Sequence, residues 1–76
     1  MEIKDFLKNE IKNLSFREVD DNESIIKSKL LDSISTVELI VAIEEYIGKK
    51  IPQHLIVEEN FDTIENIVET IKKVEP

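Results

Sequence analysis

Seventy-six residues with a formal charge of −7, one histidine and no cysteine allow a single domain with a small core and leave little room for a deep enzyme cleft. The missing thiol excludes disulfides, thiolate metal sites and a cysteine nucleophile, so any sulfur chemistry needs a borrowed sulfur. The negative balance argues against nucleic acid, whose capture depends on Lys and Arg displacing counterions from phosphates.

In the first segment Ile3, Phe6, Leu7, Ile11 and Leu14 recur at spacings of three and four, with Glu2, Lys4, Asp5, Lys8, Asn9 and Lys12 on the other side, which predicts an amphipathic helix. Met1 to Lys12 mix charged and apolar positions instead of forming a signal-type apolar block. No apolar run approaches membrane-spanning length, so the expectation is a cytoplasmic protein without membrane insertion. From Ser15 to Leu31 the periodicity breaks into a long connection carrying Asp20, Asp21, Asn22, Glu23 and Ser24, and then Ile25 and Ile26, which are expected to pin it to the core. The acidic cluster lacks the alternating ligands, central glycine and terminal glutamate of an EF-hand loop, and reads as a solvated loop with no metal.

Asp32 and Ser33 head a second helix that reaches about Ile47, with Gly48 as its C′ residue. Ile51 and Pro52 open an irregular stretch through Asn60, with room for one short helical turn. Asp62 or Thr63 can cap a last helix, whose stripe is Ile64, Ile67, Val68 and Ile71. No β-alternating run competes, which predicts an all-α fold, a small three- to four-helix bundle.

The charge is unevenly spread along these elements. Residues 1–29 hold seven acids and six bases, residues 30–71 hold nine acids against Lys49 and Lys50 alone, and residues 72–76 hold two bases and one acid. The whole excess therefore lies in the central and C-terminal half, which by itself describes an ordinary solvated acidic surface.

The second helix is apolar on two sides. With Ser33 at zero and ~100° per residue, Leu39, Ile40, Ile43 and Ile47 fall in one arc, the core face. Ile34, Val37 and Val41 fall in another, flanked by Glu44 on one side and by Glu38 and Glu45 on the other. An apolar strip rimmed by one sign of charge suits transient docking to a partner with a basic rim. Segment 53–60 folded over the strip would instead make it core, and periodicity leaves both open. Ser33 itself stands where a helix start favours an anion, although a serine beside an aspartate is ordinarily a cap.

The run Leu31-Asp32-Ser33-Ile34-Ser35-Thr36-Val37-Glu38-Leu39 resembles the Asp-Ser-Leu attachment motif of acyl carrier proteins and the helix that follows it. The similarity continues through Ile43-Glu44-Glu45, Ile51-Pro52 and Phe61-Asp62-Thr63-Ile64, and so covers most of residues 25–71. The resemblance implies one acyl carrier domain over residues 1–76 that is not itself an enzyme. It implies that a phosphopantetheinyl transferase moves a 4′-phosphopantetheine arm from coenzyme A onto Ser33, beside Asp32, and that the arm's thiol holds acyl groups as thioesters. It also implies a partner surface of Ile34, Val37, Glu38, Val41, Glu44 and Glu45, the residues that the helical wheel picks out separately. The partners would be the transferase and acyl-processing or acyl-loading enzymes with basic docking patches, in fatty acid, polyketide or related biosynthesis, meeting a monomer.

Several positions depart from the family's pattern. Ser35 and Gln53 stand where fatty-acid-synthesis carriers commonly have acids, Lys49 and Lys50 add positive charge just past the helix, and Lys29 replaces a glycine common in stand-alone carriers. Leu-Leu-Asp-Ser in place of Gly-Ala-Asp-Ser resembles a specialised carrier for polyketide-like, modified acyl or aminoacyl cargo. Asp32 departs from the Gly-Gly-His/Asp-Ser type of peptidyl carriers. Acyl cargo is the expectation, with an aminoacyl carrier, D-alanyl or peptidyl-type, as the alternative. An adaptor that docks helices through the strip without any prosthetic group is a further alternative. A hydrolase would need a base for Ser33, and no motif links His54, read as a surface histidine, to it.

Overall fold

The first apolar stripe forms helix α1 (Ile3–Ser15), with Asp5 in its first turn and Lys12 in its last, each complementing the helix dipole. The computed structural model describes residues 3–74, so Glu2, assigned to the polar side of this helix, lies outside the described residues. Leu7 and Ile11 are fully buried, while Ile3, Phe6 and Leu14 are partly so. The helix ends where Phe16 turns left-handed (φ 62°) and its N–H donates to the Lys12 carbonyl at 2.7 Å.

The connection to the next helix is long but pinned. Val19, Ile25 and Leu31 are buried in the core, and Ile26 packs against it only partly buried. Asp21 receives Lys4 Nζ at 3.0 Å and Lys8 Nζ at 3.1 Å from α1, and its carbonyl accepts the Glu65 N–H at 3.2 Å. These two lysines hold the Asp21 carboxyl below its ordinary value. Glu23 takes Arg17 Nη2 at 2.8 Å and the Asp20 N–H at 3.2 Å. Asp21 and Glu23 thus spend their carboxylates on the chain's own cations and backbone.

Helix α2 (Ser33–Ile47) buries Leu39, Ile40 and Ile43 and partly buries Ile47, the arc expected to face the core. It stops at Gly48 (φ 72°), where the N–H groups of Gly48 and Lys49 both donate to the Glu44 carbonyl, at 2.9 and 3.3 Å. Phe6 of α1 stacks on Tyr46 of α2 with ring centroids 4.1 Å apart. A 3-10 turn (Gln53–Leu55) and a one-turn helix α3 (Glu58–Phe61) then lead to α4 (Ile64–Val74). Asn60 Nδ2 donates to the Leu55 carbonyl at 2.8 Å, and Asn66 Nδ2 to the Glu59 carbonyl at 3.0 Å, fastening this irregular segment to α4. Thr63 caps α4, its hydroxyl oxygen accepting the Asn66 N–H at 3.1 Å.

Helix α1 packs against α2 and α4, and α3 against α4, so the described residues form an all-α bundle of four α-helices. Eight of the thirteen buried apolar residues are isoleucine, so stiff β-branched side chains fill most of the core. Among the described residues no helix is long and apolar enough to cross a membrane.

Candidate functional site at the start of α2

Asp32 (φ −85°, ψ −176°) is the cap of α2: its carboxylate accepts the Ser35 N–H at 2.7 Å. Its carbonyl accepts the Thr36 N–H at 2.9 Å and the Thr36 hydroxyl at 2.8 Å. The Ser35 backbone N–H, foremost among these contacts, holds the Asp32 carboxyl below its ordinary value of 3.8. Ser33 is therefore not the cap. It is the first helical residue and is exposed, at the end of the helix where unpaired N–H groups and the dipole favour negative charge.

A groove of about 520 Å³ opens beside Ser33. One wall is Ile26, Lys29 and Leu31 of the connection, another is Thr36, Val37 and Ile40 of α2, and Ile56 and Glu58 complete the lining. Lys29 holds a left-handed backbone (φ 64°), a conformation that glycine adopts without the steric cost a Cβ brings.

The second apolar arc of α2 lies open. Ile34 is 71%, Val37 58% and Val41 46% exposed, so segment 53–60 does not cover it. Ile56 is itself exposed and lines the same groove as Val37. Glu38 and Glu45 are exposed on the rim, whereas Glu44 is partly buried and turned to its own chain. Glu44 Oε2 accepts the Ile51 N–H at 2.8 Å, and Lys50 Nζ lies 4.0 Å from Oε1. Val41, Glu45, Lys49 and Lys50 line a notch at that end of the strip. His54 is exposed on the 3-10 turn.

One polar residue escaped the sequence reading. Asp62, one of the two alternative caps expected for α4, is buried and instead binds the connection that leads to Ser33, accepting the Ser24 hydroxyl at 2.8 Å. Two capping-type residues in a row, of which a single helix start needs one, were the available signal.

The family model described as "Phosphopantetheine attachment site" matches residues 6–71. A comparison with curated proteins finds no match. Among solved structures, a chain in the crystal structure of Bradyrhizobium japonicum glycine:carrier protein ligase complexed with glycylated carrier protein is 23% identical. It superposes with a TM-score of 0.73, over 90% of this chain and 92% of that one. A chain in the complex of the same ligase with its cognate carrier protein and an analogue of glycyl adenylate is 22% identical. There the TM-score is 0.76, over 93% and 92% of the two chains. At these identities the likeness is one of fold.

Proposed function

This chain belongs to the phosphopantetheine attachment family, and from that premise we propose that Ser33 bears the arm and that the domain presents a thioester-bound cargo to partner enzymes. The domains of this family carry a covalently attached 4′-phosphopantetheine, which supplies the thiol that a cysteine-free chain lacks. The observation that carries the assignment to Ser33 is the division of labour at the head of α2: Asp32 takes the cap and leaves the Ser33 side chain exposed.

The surrounding residues fit that role. The first-turn N–H groups and the helix dipole favour the negative charge of a phosphodiester at Ser33. Asp32 is occupied as the cap by the Ser35 N–H, and removal of the Ser33 proton is assigned to the transferase. The exposed strip of Ile34, Val37 and Val41, with Glu38 and Glu45 on its rim, offers partners an apolar contact that a basic surface would complete. Glu44 contributes by fixing the loop at the end of the strip, and Lys49 and Lys50 add positive charge there. Such a carrier works where coenzyme A and its transferase are present, in keeping with the cytoplasmic location expected from the sequence. Incubation with coenzyme A and a broad-specificity transferase should add one arm to the wild type and none to Ser33→Ala. Labelling retained in the mutant would remove the assignment, and an unlabelled wild type would leave the helix-docking adaptor as the better reading.

Of the two cargo classes, the aminoacyl one draws specific support, because the solved complexes of similar fold pair a carrier protein with a glycine ligase. A fatty-type tail would have to open a core in which Leu39, Ile43, Ile64 and Ile67 have no exposed surface. A charged amine would lose hydration in that core and gain no partner, so an aminoacyl group stays outside.

A further inference from the structure

Asp62 lies between α3 and α4 and is 7% exposed. Its Oδ1 accepts three hydrogen bonds from one stretch of the connection: the Ser24 hydroxyl at 2.8 Å and the N–H groups of Ile26 and Lys27, each at 2.9 Å. Its carbonyl accepts the Ile25 N–H at 2.7 Å. The same stretch is knotted internally. The Ser28 hydroxyl donates to the Ser24 carbonyl at 2.6 Å, and the Lys29 and Leu31 N–H groups donate to the carbonyls of Ile26 and Ile25, each at 2.9 Å.

Two things depend on this knot. Buried Leu31 leads directly into Asp32 and Ser33, so the path of residues 24–31 sets where α2 begins. Ile26, Lys29 and Leu31 also form one wall of the groove beside Ser33. The capping of α4, the ordinary reason for an acid here, is done by Thr63. Burial pushes the Asp62 pKa up, but the bonds from Lys27, Ser24 and Ile26 and the charge of Lys27 outweigh it and leave the carboxyl below its ordinary value. An ionised carboxylate is thus withdrawn from water with its bonds directed at the connection.

We infer that Asp62 is a positioning residue for the Ser33 site, fixing through residues 24–31 both the placement of the Ser33 hydroxyl and the groove wall beside it. The inference rests on Ser33 being the attachment residue, and Asp62 itself touches no reacting atom. Removing the carboxylate leaves three donors without their acceptor, and the segment they hold loosens. A misplacement of about 1 Å at a reacting group is enough to slow a reaction by roughly a hundredfold.

The test compares wild type, Asp62→Ala, Asp62→Asn and Thr70→Ala. The last removes a buried hydroxyl bonded to the carbonyl of Asn66 and leaves the connection alone. Transfer of the arm from coenzyme A by a broad-specificity transferase should slow about tenfold or more in kcat/KM for Asp62→Ala. Asp62→Asn, which keeps an acceptor oxygen, should recover most of the rate, and Thr70→Ala should load as the wild type does. Amide exchange on the same proteins gives a second readout: in Asp62→Ala the Ile26, Lys27 and Leu31 amides should exchange faster relative to those of α4. Loading by Asp62→Ala at the wild-type rate, or a loss matched by Thr70→Ala, would overturn the inference, as would unchanged protection of those three amides. A wild type that accepts no arm would instead refute attachment at Ser33, and the exchange measurement would then decide the clamp by itself.

Discussion

At Ser33 and Asp32, either of which could cap a helix, the cap falls to Asp32 and the serine is left exposed. Because the cap bond belongs to Asp32, Ser33→Ala should change stability by no more than about 1 kcal/mol. Asp32→Ala should lower the thermal midpoint further, since the Ser35 N–H then loses its acceptor. Equal midpoints for the two variants, read by circular dichroism, would contradict this division. Lys29 offers a second test. Its left-handed backbone (φ 64°) costs a residue with a Cβ about 1–2 kcal/mol, and glycine removes that cost while adding freedom to the unfolded chain. Lys29→Gly should therefore stabilise the fold by up to about 1 kcal/mol, and a lower urea midpoint would show that the left-handed backbone stores no strain. The motif residues were legible in the sequence because their neighbours along the helix define them. The role of Asp62 was not, because its donors lie as many as 38 positions away and nothing local marks them.

At the scale of helices, periodicity separated the two sides of α2 correctly: Leu39, Ile40 and Ile43 are buried, and Ile34, Val37 and Val41 are open. It placed Glu44 on the rim by its angle alone, and there the carboxylate is partly buried and bonded to its own chain. A wheel describes an isolated helix and cannot know that the chain beyond Gly48 folds back to set the Ile51 N–H on that carboxylate. The consequence is unequal behaviour among the three glutamates. Reversing Glu38 and Glu45 together should slow association with the transferase at low salt, with the difference shrinking as salt rises, and leave the melting midpoint nearly unchanged. Reversing Glu44 should instead lower the midpoint, because the Ile51 N–H loses its acceptor. Identical arm-transfer rates for wild type and the Glu38/Glu45 double reversal at low salt would reject the surface.

For the molecule as a whole, the all-α bundle and its element order could be read from spacing and cap residues, whereas the packing that decides cargo could not, since it depends on which side chains meet across the bundle. Cargo is best tested through the stability of the entire domain. A tail that enters the core acts as a ligand of the folded state, contributing roughly 0.8 kcal/mol per buried methylene before the cost of opening the packing. Melting curves for holo, glycyl, short-acyl and long-acyl forms should then differ: the glycyl form should melt with the holo form, and only a sequestered tail would raise the midpoint with length. A steady rise across the acyl series would favour the fatty-type reading over the aminoacyl one.

The clamp at Asp62 also has a kinetic meaning. The Ser24–Asp62 bond joins residues 38 positions apart and ties the connection, which has no helix of its own, to the junction of α3 and α4. Helices α1, α2 and α4 share buried isoleucines that can collapse without these polar bonds, so the clamp is expected to close late in folding and to open early in unfolding. Asp62→Ala should thus leave the refolding limb of a chevron almost unmoved and raise the unfolding limb; a slowed refolding limb would place the clamp in the nucleus. The carboxylate that aims the serine would then also be the latch that sets how long the native fold lasts.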